Sequence, residues 1–459
     1  MTGQNSIQMV PNGIEYHLYR YPDSIVLFSP KYQLALAASA PPTQNVADIE
    51  RIERYALAKS DAKRIPHRFK CNNFMHPNLN ILVSDKCQLD CAYCFSAHSR
   101  DVGSISLDRA IKGIDTVFRN ASIIKKATGN TLPVRVNYNG GGEPTCNLEI
   151  IRECLEHTKR LESSCHVPAI STLQTNGQSD PAIFPELKGL GLEQVTLSMD
   201  GLKHVQDTQR TRLDSQSSFD KCIQTLSALG DLEIATSIRA TLTKRSCCGF
   251  PDFCRHLDRQ FPFVSDVSFD AVSLTGKGSS QRNEMPEPDL LCKSIGEARS
   301  ATTNLRISTH LINLERYGYY CQSTDFGNAI FLSTSNYISL CQECTRASSD
   351  ANDKFLIGTY DDSGSPQIRP FTTLGRFEEA CASPVCGSCP ALYTCSGGCH
   401  SRIRFSSGSP SADSDTQYWC ALMKRLLKQE LHDCFSDANL YPNAERINSD
   451  NGSFRAIVF

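Results

Sequence analysis

From Pro77 onward, short apolar runs alternate with stretches whose apolar residues recur every three or four positions. The runs lie at 79–84 (LNILVS), 132–139, 168–176, 193–201, 232–243 and 264–274. Between them, 106–124, 147–163, 181–191, 218–230 and 249–261 carry the helical period. Six such βα-type units in succession predict a parallel sheet covered by helices, an α/β fold whose simplest form is a partial (β/α)6, TIM-like barrel over residues 76–300. In such folds the loops at the carboxyl ends of the strands carry the chemistry.

Residues 1–75 follow another pattern. Three strand-like runs (14–19, 25–28 and 33–37) are broken by Pro22-Asp23-Ser24 and Ser29-Pro30, which predicts a hairpin or meander. A helix is expected after Pro41, Pro42 and Thr43. Residues 51–70 hold seven Lys or Arg against two Asp or Glu, which reads as a solvated helix face or as a docking surface for an acidic peptide. The segment thus forms a small N-terminal β/α piece whose size fits a peptide-recognition module or a plain extension packed on the barrel.

Composition changes this picture at one point only. The apolar (40%) and charged (21%) fractions are those of an ordinary globular chain, and a net charge of −2 provides no global basic surface for nucleic acid. The first ten residues lack a basic start and apolar centre, and no apolar run approaches the about 18 residues that span a bilayer, so neither secretion nor a membrane is expected. Cysteine is the outlier. Twenty-two cysteines without a secretion signal argue for metal or cluster ligation in a reducing, cytoplasmic setting. Cys154 and Cys222, within helical patterns, read as buried small hydrophobes.

The first cysteine group stands directly after the first strand. Cys87, Cys91 and Cys94 have C-x3-C-x2-C spacing, which suits one face of a cubane iron–sulfur cluster and leaves its fourth iron without a protein ligand. A structural zinc loop would ordinarily need a fourth ligand. Tyr93 and Phe95 flank the last cysteine and are placed to shield a cluster from water. After the second strand comes Asn139-Gly140-Gly141-Gly142-Glu143-Pro144, a glycine-rich turn over which a ligand can approach the backbone closely.

Together these motifs resemble the radical S-adenosylmethionine (SAM) superfamily, whose GGEP turn is matched by Gly141, Gly142, Glu143 and Pro144 and holds the amino group of the SAM methionine. Thr175-Asn176-Gly177 and Ser198-Met199-Asp200-Gly201, followed by Asp207 and Arg210, resemble later strand ends of that family. The resemblance implies that Asn176, Ser198, Asp200 and Arg239 lie at the cofactor or substrate. It implies that a reduced [4Fe–4S] cluster on Cys87, Cys91 and Cys94 cleaves SAM to methionine and a 5′-deoxyadenosyl radical, which abstracts hydrogen from the substrate.

The last third carries Cys386-x2-Cys389-x5-Cys395-x3-Cys399, then Cys420, with Cys321 and Cys341 upstream. This resembles the cysteine-rich SPASM domain, expected over 301–430 and followed by a tail, 431–459. The family's glycine falls at Asn336, a residue that tolerates a left-handed turn. By resemblance, Cys386, Cys389, Cys395 and Cys420 bind one auxiliary [4Fe–4S] cluster, and Cys321, Cys341 and Cys399 hold another, three clusters in all. Cys344, Cys381 and Cys292 are the available fourth ligands of that second auxiliary site, which is otherwise open.

Members of this branch mostly modify peptides. The resemblance therefore implies a peptide maturase, an oxidoreductase that installs a thioether, C–C or C–O crosslink in a ribosomal precursor peptide, reduced by a partner such as flavodoxin or ferredoxin. The alternative is formylglycine formation of the anaerobic sulfatase-maturase type. The base of that family falls at Gln342, which cannot take a proton, and Glu343 would point elsewhere on an extended segment. An electron-transfer protein is the reading from another class, although it needs neither an open iron nor the GGEP turn. No catalytic base is evident in the sequence.

Overall fold

The computed structural model describes residues 6–8, 15–22, 24–38, 46–61, 70–71, 77–96, 103–280, 282–316, 318–327, 329–346, 353–372, 375–406, 408–437, 440–448 and 454–459. Two compact units result. One comprises 1–68, 309–321 and 375–459; the other comprises 69–308 and 322–374.

The second unit is built on an open eleven-stranded sheet. Its strands are β1 (Asn78–Leu82), β2 (Val134–Asn139), β3 (Ala169–Thr175), β4 (Leu192–Ser198), β5 (Ala235–Leu242), β6 (Val264–Ala271) and β7 (Arg306–Thr309), and then β8 (Ala329–Leu332), β9 (Tyr337–Ser339), β10 (Leu356–Tyr360) and β11 (Pro366–Ile368). Strands β1 to β6 pair in parallel with their neighbours, and α1 (Leu107–Thr128), α2 (Leu148–Cys165), α3 (Phe184–Gly189), α4 (Lys203–Gln209), α5 (Ser218–Asp231) and α6 (Phe250–Gln260) fall between them or follow β5. A further helix, α7 (Pro288–Ser300), precedes β7. Ser106 caps α1 by accepting from the Arg109 N–H, and Gly129 ends it in the left-handed conformation.

All six expected βα units are present. The addition lies past β1: β8 joins β1 in parallel, and β9 to β11 continue antiparallel. Its sequence, FLSTSNYISL, is strand-like, but a partner some 250 residues away is set by the packed sheet and leaves no local signal.

The sheet has two unlike faces. Leu79, Ile81, Val136, Tyr138, Leu173 and Val195 are buried with apolar residues of α1 and α2 in one core. Polar side chains alternate with them and join strand to strand: Asn137 and Asn139 donate to Asn80 (both 3.2 Å), Thr172 to Asn137 (2.7 Å), and Arg239 to Ser268 (2.8 Å). A parallel sheet covered on both faces would read as continuously apolar. This alternation leaves one face suited to a polar substrate.

In the first unit, Glu15–Arg20, Ile25–Ser29 and Leu34–Ala38 form the expected meander, covered by the helix Val46–Asp61. Ile14, Pro41–Thr43 and the basic residues 62–69 lie outside the described residues. Tyr16 donates to Glu53 (2.7 Å) within this core, so one acidic residue of the basic stretch faces inward. The segment expected as a tail supplies strands instead. Phe454–Val458 pairs with Leu34–Ala38, and Glu445–Asn448 follows at the sheet edge. The linear division into four consecutive pieces is therefore not how the chain packs, because the fully buried strand Leu34–Ala38 takes its second neighbour from the other end of the sequence.

Candidate functional site

The cysteine loop leaves β1 and is held from three sides. On the first, the Gly142 and Glu143 N–H groups donate to the Ser84 and Lys86 carbonyls (2.8 and 2.7 Å), and Ser96 donates to the Gly141 carbonyl. A Cβ on Gly142 would lie 2.5 Å from the Asp85 carbonyl oxygen and closer still to that of Lys86, so only glycine fits. On the second side, the Asp90 and Ala92 N–H groups donate to the Thr211 and Gln209 carbonyls (2.7 and 3.0 Å).

The third side is a strap after β6. Lys277 donates its N–H to the Cys94 carbonyl (2.9 Å) and its ammonium to Asp90, and left-handed Gly276 (φ +57°) abuts the Cys94 and Phe95 carbonyls. Sequence reasoning missed this strap; the available signal was the Gly-x-Gly of TGKGSS just past the sixth strand.

Cys87, Cys91 and Cys94 face one another closely enough to interact electrostatically. Burial pushes the Cys87 thiol up to about 11; Glu143 and Cys94 add to the rise, while the Leu89 N–H and Asn176 amide (both 3.4 Å from Sγ) oppose it. Burial likewise raises Cys91 to about 12, against the opposing charge of Arg210. Such thiols ligate only when a metal displaces their protons. Three neighbouring thiols on one short loop, Cys87 with N–H donors at its sulfur, suit a cluster held on one face. Among the described residues, no three His, Cys, Asp or Glu side chains converge on a single-ion site.

Two acidic residues anchor this arrangement. The Glu143 carboxylate, 2% exposed, accepts from the Thr145 N–H and hydroxyl (3.2 and 2.6 Å), the Thr175 hydroxyl (2.7 Å) and the Asn176 N–H (2.7 Å). It binds the end of β2 to the end of β3. Asp200, fully buried, accepts from Tyr93, Gln209 (2.9 Å), Arg210 (3.1 Å) and the Thr241 N–H (2.8 Å). Both carboxylates are occupied by the protein, so their part is to position the loop and the Tyr93 ring. Pro144 starts the turn after Glu143, and Asp207 caps α5 through the Phe219 N–H (2.9 Å). Ser198 ends β4 in register with Arg239 of β5, whose guanidinium reaches Ser268 and Asp270 (3.3 Å). Phe95 is half-buried in the loop. A cavity of about 240 Å³ opens beside Tyr93, lined also by Val205, Gln209, Thr243 and Val272, with the Arg245–Glu284 ion pair (2.9 Å) at its wall.

In the first unit, Cys386, Cys389, Cys395 and Cys420 lie within electrostatic range of one another; burial, then the neighbouring thiols, pushes Cys386 up to about 11. Cys321 and Cys399 belong to the same unit, and Cys341 to the second. Cys154 and Cys222 are fully buried. Two details differ from expectation. Asn336 has no left-handed backbone and instead accepts from Arg109 (3.0 Å), so nothing there requires glycine. The segment after Cys341 turns at once, with the Cys344 N–H on the Cys341 carbonyl (3.2 Å), so alternation along a strand does not govern where Glu343 points.

The model of the radical SAM superfamily matches residues 81–244. The chain is 24% identical over 198 residues to a cysteine-type anaerobic sulfatase-maturating enzyme of Clostridium novyi (strain NT), across 42% of this chain and 49% of that protein. It is 24% identical over 198 residues to the mitochondrial GTP 3′,8-cyclase of Arabidopsis thaliana, across 43% of this chain and 47% of that one. It thus spans about half the length of the curated relatives it matches. In fold it is similar to anSMEcpe with bound AdoMet (TM-score 0.54, 17% identity, 79% of this chain and 98% of the other). Streptococcus suis SuiB bound to S-adenosylmethionine is also similar (TM-score 0.51, 18% identity, 82% and 83%). The cysteine loop, the clamped GGEP turn and the parallel strands carrying them all fall within or beside residues 81–244, the part of the chain that matches the radical SAM superfamily.

Proposed function

We propose that the protein is a radical SAM enzyme that modifies a peptide, with a site cluster on Cys87, Cys91 and Cys94 and SPASM-type auxiliary clusters on the later cysteines. The observation that carries this reading is the three-thiol loop clamped against the Gly141–Gly142–Glu143 turn. When bound, a [4Fe–4S] cluster with SAM supplies reductive C–S cleavage and hydrogen abstraction. The chain's own residues fix the geometry of that chemistry. Glu143 and Asn176 tie two strand ends to Cys87, Asp200 fixes Tyr93, and the 276–278 strap closes the loop from the far side. The cavity beside Tyr93 suits a planar heteroaromatic ring such as the adenine of SAM.

The polar sheet face, with Arg239 and Asp270 at its rim, offers hydrogen bonds to a peptide backbone. A peptide substrate is further supported by anSMEcpe, which was solved with AdoMet and the Cp18Cys peptide (TM-score 0.53). Crosslink formation in a precursor peptide, with a flavodoxin or ferredoxin as reductant, is the specific form of this reading. The C. novyi relative favours formylglycine formation as the second reading, and Gln342, at the position of that family's base, weighs against it.

The test is 5′-deoxyadenosine formation by anaerobically reconstituted protein given SAM and dithionite. We expect production by the wild type and none by Cys94→Ala, which lacks one of three ligands. Production by the variant would refute the assignment. Mass spectrometry of Cys-containing peptides then separates the readings: a crosslink supports the first, and formylglycine the second.

A further inference from the structure

Three C-x2-C segments occur in the described residues, and all three fold the same way. In Cys91–Cys94, Cys341–Cys344 and Cys386–Cys389, the N–H of the second cysteine donates to the carbonyl of the first, at 3.3, 3.2 and 2.9 Å. The turn brings two thiols to one side of the backbone, as a metal or cluster edge requires. The first and third segments are ligand pairs in the reading above. The second is not assigned by any resemblance: only Cys341 belongs to the family pattern.

The Cys341–Cys344 turn is also a built structure. Ser339, fully buried, accepts from the Cys341 N–H (3.0 Å) and donates to the Cys344 carbonyl (2.7 Å). Ser383 plays the corresponding part at the third segment, accepting from the Cys386 N–H (3.3 Å). The Cys341 and Cys344 thiols are hydrogen-bonded to each other. Cys344 is 4% exposed and sits at the end of the β9 hairpin, where Arg346 reaches Asp85 (3.0 Å) in the cysteine loop.

The other two candidates lack this setting. Cys292 is buried on α7, within electrostatic range of Cys247 in the helical layer, and Cys381 is exposed on the short helix Phe377–Ala382.

We propose that Cys344 is a metal-ligating residue that pairs with Cys341 as one edge of an auxiliary cluster. This rests on the auxiliary-cluster reading above.

The experiment uses the full chain with Cys87, Cys91 and Cys94 replaced by Ala, which isolates the auxiliary clusters. Iron, sulfide and the EPR spectrum of the reduced protein are compared with and without Cys344→Ala, with Cys344→Ser as the smaller change and Cys292→Ala and Cys381→Ala as controls. Far-UV circular dichroism checks folding. We expect Cys344→Ala either to lose about four irons per chain or to acquire an EPR signal that shifts on adding 2-mercaptoethanol, which occupies the vacated iron. The parent signal does not respond to the thiol, and the controls match the parent. Unchanged iron with a thiol-insensitive signal in Cys344→Ala overturns the proposal while leaving auxiliary clusters standing. A parent protein free of iron overturns the auxiliary-cluster reading and the proposal with it.

Discussion

Gly142→Ala tests the clamp on the cysteine loop most directly. The new methyl would sit 2.5 Å from the Asp85 carbonyl oxygen and nearer still to that of Lys86, where a carbon normally keeps about 3.3 Å, so the two backbones must part by at least about 0.8 Å. The 2.8 and 2.7 Å bonds to Ser84 and Lys86 then stretch to about 3.5 Å, beyond useful length. Two such bonds contribute about 1–3 kcal/mol together, and forced overpacking costs about 1–3 kcal/mol more. A local loss of about 2–6 kcal/mol is a large part of a domain's stability. The assays are urea unfolding of the apo protein and iron content after reconstitution. We expect a lower midpoint and about four fewer irons per chain, with 5′-deoxyadenosine formation abolished. Gly189→Ala, where nothing lies within 4 Å of the added methyl, is the control and should stay within about 1 kcal/mol of wild type. Full iron loading and an unchanged midpoint in Gly142→Ala would refute the reasoning.

Two further substitutions probe the buried carboxylates. Glu143→Gln puts an amide NH2 where the Asn176 N–H now donates, or disrupts the three bonds on the other oxygen, and should cost about 1.5–3 kcal/mol and most SAM cleavage. Burial raises Glu143 above its ordinary 4.5, so the folded state holds the proton more tightly than the unfolded chain. Wild-type stability should therefore fall as pH rises from about 4.5 through the raised value, and the Gln variant should lack this component; parallel pH profiles would contradict it. Arg346→Ala strands the Asp85 carboxylate, 4% exposed and already raised by burial, with the Thr334 hydroxyl (2.5 Å) as its remaining side-chain partner here. Because Arg346 is itself one-third exposed, about 1–2 kcal/mol is expected. A double-mutant cycle with Asp85→Asn should show coupling, and a value within about 0.3 kcal/mol of zero would deny the link.

The parts whose signals are local are legible in the chain's own residues. Alternating periods placed six strands and their helices, because a strand's burial pattern is written in consecutive residues. Spacing placed Cys87, Cys91 and Cys94 on one loop, since eight residues cannot carry ligands far apart. The GGEP turn was legible for the same reason. What tertiary structure decided were the contacts between distant segments. The strand Phe454–Val458 carries no local sign of its place, because its partner, Leu34–Ala38, lies some 400 residues away. The 276–278 strap and the Asp85–Arg346 pair likewise depend on which loops the parallel sheet gathers at one end. Glu143 and Asp200 look in sequence like groups for a ligand. Folding surrounds each with protein donors, and a buried carboxylate must take such donors or lose its charge, so they hold the site together from within.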